Sequence, residues 1–177
     1  MKYKFVPMNK IHAQKIIDNW EYEGEYSIYD YVYEKDDLLD EGGWGFNRFA
    51  VLNEKEELVG ELTVSFFREV ENDAEDDGYV EAEIVKSNPS DIFEMWVGFG
   101  MRPDLIGKGS GRDFISECVD FAVDIHKYKG DYVRLGVAKF NVRAIKTYQR
   151  NGFEVFDTCR ADINGVEHDI NFMRKKL

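Results

Sequence analysis

Alternating apolar and polar stretches predict short strands and helices in the first half of the chain. Residues 3–7 form an apolar run that ends at a proline, which is typical of a short strand. Asn9 is a typical helix cap, and a first helix is predicted after it from apolar residues at helical spacing: Ile11, Ile16, Ile17 and Trp20. Residues 21–43 are predicted to be irregular or weakly helical, whereas residues 46–52 and 57–67 predict a hairpin of two strands.

The second half begins with a continuous apolar run, Ile92–Met101, which contains one acidic residue and predicts a central strand. A glycine-rich loop follows and leads into a helix whose apolar face is predicted from four residues: Phe114, Cys118, Phe121 and Ile125. Residues 132–137 predict a further strand. A short helix is predicted from Asn141 to Gly152, because glycine commonly ends a helix.

The chain is predicted to end in a hairpin. Residues 153–163 and 166–177 have strand patterns, and Asn164-Gly165 between them is a strong hairpin signal. The order of elements is strand, helix, hairpin, strand, glycine loop, helix, strand, helix and hairpin, which favours a single α/β sheet over a doubly wound repeat. No repeat or linker divides the chain, so residues 1–177 are predicted to form one domain.

Composition and charge narrow the class of protein. The chain has 177 residues, of which 44% are hydrophobic and 15% aromatic, enough for a sizeable core. Its net charge of -12 argues against nucleic-acid and anionic membrane partners, because both attract basic faces. The first residues have no apolar run typical of a signal peptide, and no segment approaches the roughly 20 apolar residues of a membrane span. A soluble cytoplasmic protein is therefore expected.

The pattern of cysteine, histidine and acidic residues predicts no metal site. Cys118 and Cys159 lie far apart without a C-x-x-C motif, and none of the three histidines has metal-ligand spacing. Asp73–Ile84 resembles a calcium loop at its first, third, fifth and sixth positions, but Ile84 stands where an EF-hand needs glutamate. The acidic stretch 69–83 is therefore interpreted as a solvated insertion.

The glycine-rich loop, Gly107–Gly111, opens a predicted helix and is a candidate phosphate-binding site. The first N–H groups of a helix are unpaired and the helix dipole is positive there, so an anion is stabilised. A P-loop is excluded because Arg102 stands where its first glycine belongs. A dinucleotide-binding motif fails as well, because Arg112 or Phe114 stands at its last glycine position.

Two motifs together resemble the GNAT superfamily of N-acetyltransferases, which move an acyl group, usually acetyl, from coenzyme A to an amine. The family loop Q/R-x-x-G-x-G/A is matched from Ile106 to Gly111 with both required glycines, although Ile106 replaces the usual arginine or glutamine. The family pattern N-x-x-A-x-x-x-Y-x-x-x-G-F is met at every fixed position: Asn141, Ala144, Tyr148, Gly152 and Phe153. The resemblance is sharp over residues 94–153. It implies an α/β (α+β) fold with a single mixed, mostly antiparallel central sheet flanked by helices.

The resemblance also implies a co-substrate, acetyl-CoA, and roles for particular residues. The loop residues expected to bind its pyrophosphate are Ile106, Gly107, Lys108, Gly109, Ser110, Gly111 and Arg112. Asn141 is expected beside the pantetheine arm, which would pair with the strand edge at Trp96–Met101. Tyr148 is expected to protonate the leaving thiolate, because a phenol with a pKa of about 10 can donate efficiently to a thiolate.

Residues of the central strand are candidates for the remaining chemistry. The backbone N–H of Phe99 or of Met101 is a candidate donor to the tetrahedral oxyanion. Glu94, the sole acid in this apolar strand, is the candidate general base, because desolvation would raise the pKa of its carboxyl. The alternatives are that Glu94 is a strand-end acid facing solvent and that Tyr148 is an aromatic covering the core.

The segment between Glu21 and Glu41 carries nine acids, five tyrosines and one lysine. We hypothesise that it binds a cationic amine acceptor through carboxylates and aromatic faces, with Glu23, Glu25 and Asp30 as the acids to test. A polyamine, an aminoglycoside, and a lysine or N-terminal amine of a peptide are the candidate acceptors. The alternative is an acidic surface helix.

The predicted function is an acetyl-CoA-dependent N-acyltransferase that acetylates a primary amine by direct transfer in a ternary complex, since neither motif holds a cysteine. A non-catalytic acetyl-CoA-binding sensor is the alternative, and Tyr148 favours the enzyme because binding alone needs no acid there. A calcium-binding or interaction protein is disfavoured by the incomplete calcium loop. Pairing of residues 153–159 and 170–177 across a homodimer is left open.

Overall fold

The computed structural model describes the backbone of residues 2–69, 79–81 and 93–177, and the side chains of residues 2–67 and 93–177. Its strands are β1 (Lys4–Pro7), β2 (Arg48–Leu52), β3 (Leu58–Glu69), β4 (Tyr79–Glu81), β5 (Glu94–Met101), β6 (Tyr132–Ala138), β7 (Glu154–Ile163) and β8 (Val166–Lys176). Its α-helices are α1 (Lys10–Asn19), α2 (Lys35–Leu38), α3 (Gly111–His126) and α4 (Val142–Arg150). Short 3-10 helices lie at Gly24–Tyr29, Glu41–Gly43 and Pro103–Leu105.

All these strands belong to one mixed sheet in the order β1-β2-β3-β5-β6-β8-β7, with β4 paired to β3. Neighbouring strands are antiparallel except for β5 and β6, which are parallel. The predicted fold class, a mixed and mostly antiparallel sheet flanked by helices, is therefore confirmed.

The sheet opens between β5 and β6. These two strands pair only at Met95 with Val133 and at Trp96 with Arg134. On its other side, β5 stays paired with β3 as far as Met101. Beyond Trp96, β5 consequently has one hydrogen-bonded edge and one edge that faces a gap in the sheet.

Two hydrophobic clusters support this sheet from opposite sides. The larger cluster packs α3 against the inner face of the sheet, where Phe114, Cys118 and Leu62 are buried. Its close packing requires Gly60, because a Cβ there would overlap the ring of Phe114. The smaller cluster packs α1 and the segment after it against β2, around Ile16 and Leu38.

The predicted apolar faces of two helices differ from the observed ones. In α3, Phe114 and Cys118 are buried as predicted, but Ile125 is 49% exposed. The buried surface of α3 continues instead along a neighbouring row of the helix: Ile115, Val119, Ala122 and His126. In α1, Ile11 is exposed while Ala13 takes the buried position. The shift is one residue along the C-terminal half of α3 and two residues at the start of α1, and spacing alone does not distinguish such neighbouring faces.

Two predictions concern the part of the chain between β3 and β5. The solvated acidic insertion at 69–83 and the calcium-like loop at 73–84 lie largely outside the described residues. Among the helices that are described, none is long and apolar enough to span a membrane.

Candidate active site

A cavity of about 1010 Å³ passes through the gap between β5 and β6. One end is lined by the glycine loop, the start of α3 and one side of α4, through Gly109, Arg112 and Lys146. The other end is lined by the outer face of β3 and the segment between α1 and β2, through Glu61 and Tyr31. Two groups of residues that lie far apart in sequence thus line one continuous cavity.

The glycine loop presents bare backbone at the first end. Gly107 and Gly109 have φ angles of 80° and 86°, and a Cβ on either would meet no atom within 4 Å. The first hydrogen bond of α3 runs from the Phe114 N–H to the Ser110 carbonyl at 3.0 Å. The N–H groups of the first turn of α3 therefore have no partner within the helix, and Ser110 does not cap them with its side chain.

Cationic side chains surround this end of the cavity. Arg112 from α3 and Lys146 and Arg150 from α4 line it. Arg143 also lines the cavity, but its guanidinium carbon lies 4.8 Å from the centroid of the Tyr26 ring. Together with unpaired N–H groups at a helix N-terminus, Arg112, Lys146 and Arg150 form a site suited to phosphate groups. The residues present therefore fit the pyrophosphate of a coenzyme A derivative.

Most of the loop residues predicted from sequence lie on the cavity wall, namely Ile106, Gly107, Gly109, Gly111 and Arg112. Lys108 and Ser110 are not among the lining residues. The Ser110 hydroxyl instead lies 3.9 Å from the Met101 sulfur.

The hydrogen-bond pattern of β5 shows that the backbone N–H and C=O groups of Phe99 and Met101 point into the gap. The Arg102 N–H donates to the Val59 carbonyl at 2.9 Å, next to the pair formed by Met101 and Gly60. Bonded and non-bonded pairs alternate along an antiparallel ladder, so Met101 and Phe99 turn their N–H and C=O groups away from β3. The Tyr22 hydroxyl donates to the Met101 carbonyl at 3.0 Å, which agrees with this orientation.

Tyr148 lies on α4 and lines the cavity beside β5. Its ring centroid is 5.9 Å from that of Phe99 and 6.0 Å from that of Phe153. Burial raises the pKa of the Tyr148 phenol well above its ordinary value, so the hydroxyl is protonated at neutral pH. Tyr148 thus presents a proton donor to the gap and also packs against the core.

Asn141 caps α4 and lines the cavity at the same time. Its Oδ1 accepts a hydrogen bond from the Ala144 N–H at 3.1 Å. Gly152 ends the same helix with a φ angle of 87°, a left-handed conformation that favours glycine. Part of the motif that identifies the family therefore also serves to begin and end α4.

The structure does not support the expected environment of Glu94. Glu94 is the first residue of β5, at the end remote from Met101, and does not line the cavity. Its Oε1 lies 2.6 Å from Arg134 Nη2 on the neighbouring strand β6. The surroundings of Glu94 are therefore not purely apolar, because β5 and β6 are still paired at this point and bring a guanidinium beside it. The role of Glu94 as general base stays a prediction.

The sequence analysis missed another acid, Glu61 on β3. It is only 4% exposed and lines the cavity opposite the end of β5. Its Oε1 accepts from the Tyr31 hydroxyl at 2.9 Å, and its Oε2 accepts from the Thr63 hydroxyl at 3.1 Å. Burial raises the pKa of the Glu61 carboxyl. The only sequence signal was the alternation of Glu61, Thr63 and Ser65 with apolar residues, which resembles a solvent-facing strand surface.

The acidic segment contributes mainly its tyrosines to the cavity. The residues of this segment that line it are Tyr22, Tyr26, Tyr29, Tyr31 and Glu34. Glu23, Glu25 and Asp30 do not line it. The Asp30 carboxylate accepts a hydrogen bond from the Tyr22 N–H at 2.7 Å, which holds the segment in shape.

Comparison with known proteins yields one family model. The model described as the acetyltransferase (GNAT) family matches residues 13–153. This range includes the glycine loop, α4 and both ends of the cavity. No match is found among curated protein sequences.

Solved structures with a similar fold include several N-acetyltransferases. A chimera of the spermidine N-acetyltransferase SpeG from Vibrio cholerae and hSSAT aligns with a TM-score of 0.64 and 18% identity, over 99% of this chain and 96% of that chain. The spermidine N-acetyltransferase from Vibrio cholerae in complex with CoA and spermine aligns with a TM-score of 0.62 and 17% identity, over 99% and 95% of the two chains. A proposed phosphinothricin N-acetyltransferase aligns with a TM-score of 0.63 and 13% identity, over 99% and 98%.

Proposed function

Because this chain belongs to the GNAT family of acetyltransferases, we propose that it moves acetyl from acetyl-CoA to a primary amine of a cationic acceptor. The observation that carries the proposal is the shared cavity. It joins a glycine loop suited to phosphate groups and a phenol, Tyr148, to a compartment lined by tyrosines, two carboxylates and Arg48.

The first end of the cavity supports binding of acetyl-CoA. The open loop at Gly107 and Gly109 and the cations Arg112 and Lys146 suit a pyrophosphate. The free edge of β5 beyond Trp96 suits an extended arm with amide groups, which would add to the sheet like a short strand. Bound there, acetyl-CoA supplies the activated acetyl group as a thioester.

Direct transfer between the two substrates is supported by the positions of the cysteines. Cys118 lies on the buried face of α3, and burial raises the pKa of its thiol. Cys159 lies on β7, and in the described part of the chain neither thiol lines the cavity. An acyl-enzyme through cysteine is therefore disfavoured, and the acetyl group would pass straight to the amine.

The second end of the cavity supports a cationic acceptor. Tyr22 and Tyr29 provide aromatic faces, and Glu34 and Glu61 provide two carboxylates beside the Arg48 guanidinium. One relative in fold is described in complex with CoA and spermine, so polyamines are the first acceptors to try. The proposed phosphinothricin N-acetyltransferase among the relatives in fold is a reason to include smaller amines in the same panel.

Two measurements on the purified protein test this function. Calorimetric titration with acetyl-CoA measures binding, and thiol release measures transfer to spermidine, spermine, an aminoglycoside, a lysine peptide and a small neutral amine. Binding followed by release with a cationic amine is expected. Binding without release on any amine would favour a sensor, and failure to bind acetyl-CoA would contradict the proposal.

A further inference from the structure

We infer that Glu61 is the catalytic base of the transfer, the residue that takes a proton from the ammonium group of the acceptor. This inference rests on the proposed function and names the residue that prepares the amine for attack. It assigns the role to an acid on β3 rather than to Glu94 on β5.

Glu61 lies next to the end of β5 that faces the gap. It pairs with Gly100 across the ladder between β3 and β5. A Cβ built on Gly100 would lie 3.0 Å from Glu61 Cγ, so the Glu61 side chain passes over the backbone of β5 at this point. Gly100 stands between Phe99 and Met101, whose N–H groups are the candidate oxyanion donors. The carboxylate is thus beside the place where the acetyl carbonyl would meet the amine.

The hydrogen bonds of Glu61 orient the carboxylate but occupy only some of its acceptor positions. Each oxygen accepts one hydroxyl, from Tyr31 or from Thr63. An ionised carboxylate has about four acceptor positions, so positions remain for an ammonium N–H. Arg48 Nη1 forms a long ion pair with Oε2 at 3.9 Å, which is beyond hydrogen-bond distance. Glu94, in contrast, is 2.6 Å from its arginine partner.

Several charged or titratable groups lie near Glu61, and some favour its charged form while others favour its neutral form. They come from β2, from the segment between α1 and β2, and from α3 across the sheet: Arg48, Tyr22, Tyr31, Glu34 and Cys118. Burial disfavours the charged carboxylate most strongly, and Glu34 adds to that effect. Arg48 and the hydroxyls of Tyr31 and Thr63 favour the charged form. The balance gives a carboxylate with a higher proton affinity than an exposed one, as a base requires.

The proposed step conserves atoms and charge. The Glu61 carboxylate takes one proton from the acceptor ammonium and leaves a neutral amine. The nitrogen lone pair forms a bond to the acetyl carbonyl carbon, and the carbon–sulfur bond then breaks. The second amine proton moves to the departing thiolate through Tyr148, which regains from the nitrogen the proton that it donates. Glu61 finally releases its proton to water, so each turnover releases one proton with the amide and the free thiol.

The test compares Glu61→Gln with the wild type on an amine that the wild type acetylates. Glu61→Gln is expected to lower kcat by about 100-fold or more. It is also expected to remove the acidic limb of the pH profile, that is, the fall in kcat/KM as the pH decreases. Glu61→Asp keeps a carboxylate and is expected to retain the limb with an intermediate kcat. Calorimetry with acetyl-CoA checks that each variant is folded and still binds the first substrate.

Three further variants separate a base from a group that only binds the amine. Glu34→Gln removes a carboxylate from the same compartment, and it is expected to raise KM while the acidic limb remains. Tyr31→Phe removes a hydrogen bond that favours the ionised form of Glu61, so the limb is expected to move to higher pH. Glu94→Gln tests the competing base.

The inference is overturned if Glu61→Gln keeps the limb, if it changes KM alone, or if the limb is lost in Glu94→Gln instead. A failure of the proposed function looks different, because the wild type itself would then release no thiol with any amine.

Discussion

The hydroxyl of Tyr31 occupies the space that a side chain on Gly100 would take, because a Cβ built on Gly100 would overlap the Tyr31 oxygen. This one contact fixes the cover segment between α1 and β2 against the end of β5. It also aims the Tyr31 hydroxyl at Glu61. A glycine in a central strand is thus explained by the close approach of a phenol.

We expect Gly100→Ala to push Tyr31 out of its position and to lower the free energy of unfolding by about 1–3 kcal/mol. Gly98→Ala is the matched control on the same strand, since its Cβ would meet Thr63 Cβ at an ordinary 3.5 Å. Urea unfolding of both variants measures the difference. Equal stabilities for the two variants would contradict the close packing of Tyr31.

Gly109→Ala is expected to weaken acetyl-CoA binding at least about tenfold, because the left-handed loop would relax and turn its N–H groups away from the phosphates. Gly165→Ala is the matched control. Gly165 has a φ angle of 81°, close to the 86° of Gly109, and a Cβ at either site would meet no atom within 4 Å. Both variants therefore carry similar backbone strain, but only Gly109 lines the cavity. Calorimetry that shows equal losses of affinity would contradict the role of the loop.

Tyr148→Phe is expected to lower kcat by about 10²–10⁴-fold while acetyl-CoA affinity changes little, because only the proton donor is removed. Tyr3→Phe is the control, since Tyr3 packs in the core against Phe114 and does not itself line the cavity. The pKa of Tyr148 is raised, and an acid acts in its protonated form, so Tyr148 remains active at pH values below that raised pKa. A fall in wild-type kcat between pH 7 and 9 that disappears in Tyr148→Phe would contradict this assignment.

Asn141→Ala is expected to destabilise the protein by about 1 kcal/mol through loss of the α4 cap. Asn9→Ala removes the equivalent cap of α1, where the Asn9 side chain accepts from the His12 N–H at 2.9 Å. Asn9 does not line the cavity, so only Asn141→Ala should also weaken acetyl-CoA binding. Thermal unfolding and calorimetry on the same samples distinguish the cap from a contact with the co-substrate.

His126 is expected to make the protein less stable in mild acid. The centroid of its ring lies 5.1 Å from that of Phe46 and 5.0 Å from that of Phe66. Burial lowers the pKa of the imidazole. The unfolded chain therefore binds more protons than the folded one as the pH falls below about 6.5, and stability is lost over that window down to the lowered pKa. Urea unfolding should show a shallower pH dependence for His126→Gln than for the wild type. The slope should change less in His12→Gln, whose imidazole is more exposed.

Local sequence patterns predicted the parts of this fold that depend on neighbours along the chain. Asn9 and Asn141 cap helices as expected, and the turn at Asn164-Gly165 joins β7 to β8. The glycine loop lies between a strand end and a helix N-terminus, as its composition predicts. These features depend on φ angles and on hydrogen bonds within a few residues, which amino-acid type largely determines.

The features that sequence patterns did not reveal depend on contacts between distant residues. Glu61 belongs to a strand face that alternates as if it met water, yet Tyr31 covers it from 30 positions away in the chain. Glu94 was expected to be isolated, but Arg134 reaches it from β6, which follows a whole loop and helix. Spacing along one strand does not reveal what packs on that strand, so buried acids are easily confused with solvent-facing ones.

The two residue pairs that join β5 to β6 make this sheet an incomplete one. The strands β1, β2, β3 and β5 form one half, and β6, β8 and β7 form the other. An extended substrate that forms hydrogen bonds with the free edge of β5 would lie between the two halves of the sheet, where strand pairing is absent beyond Trp96. The same molecule that brings the acetyl group would then also connect the two halves of the sheet.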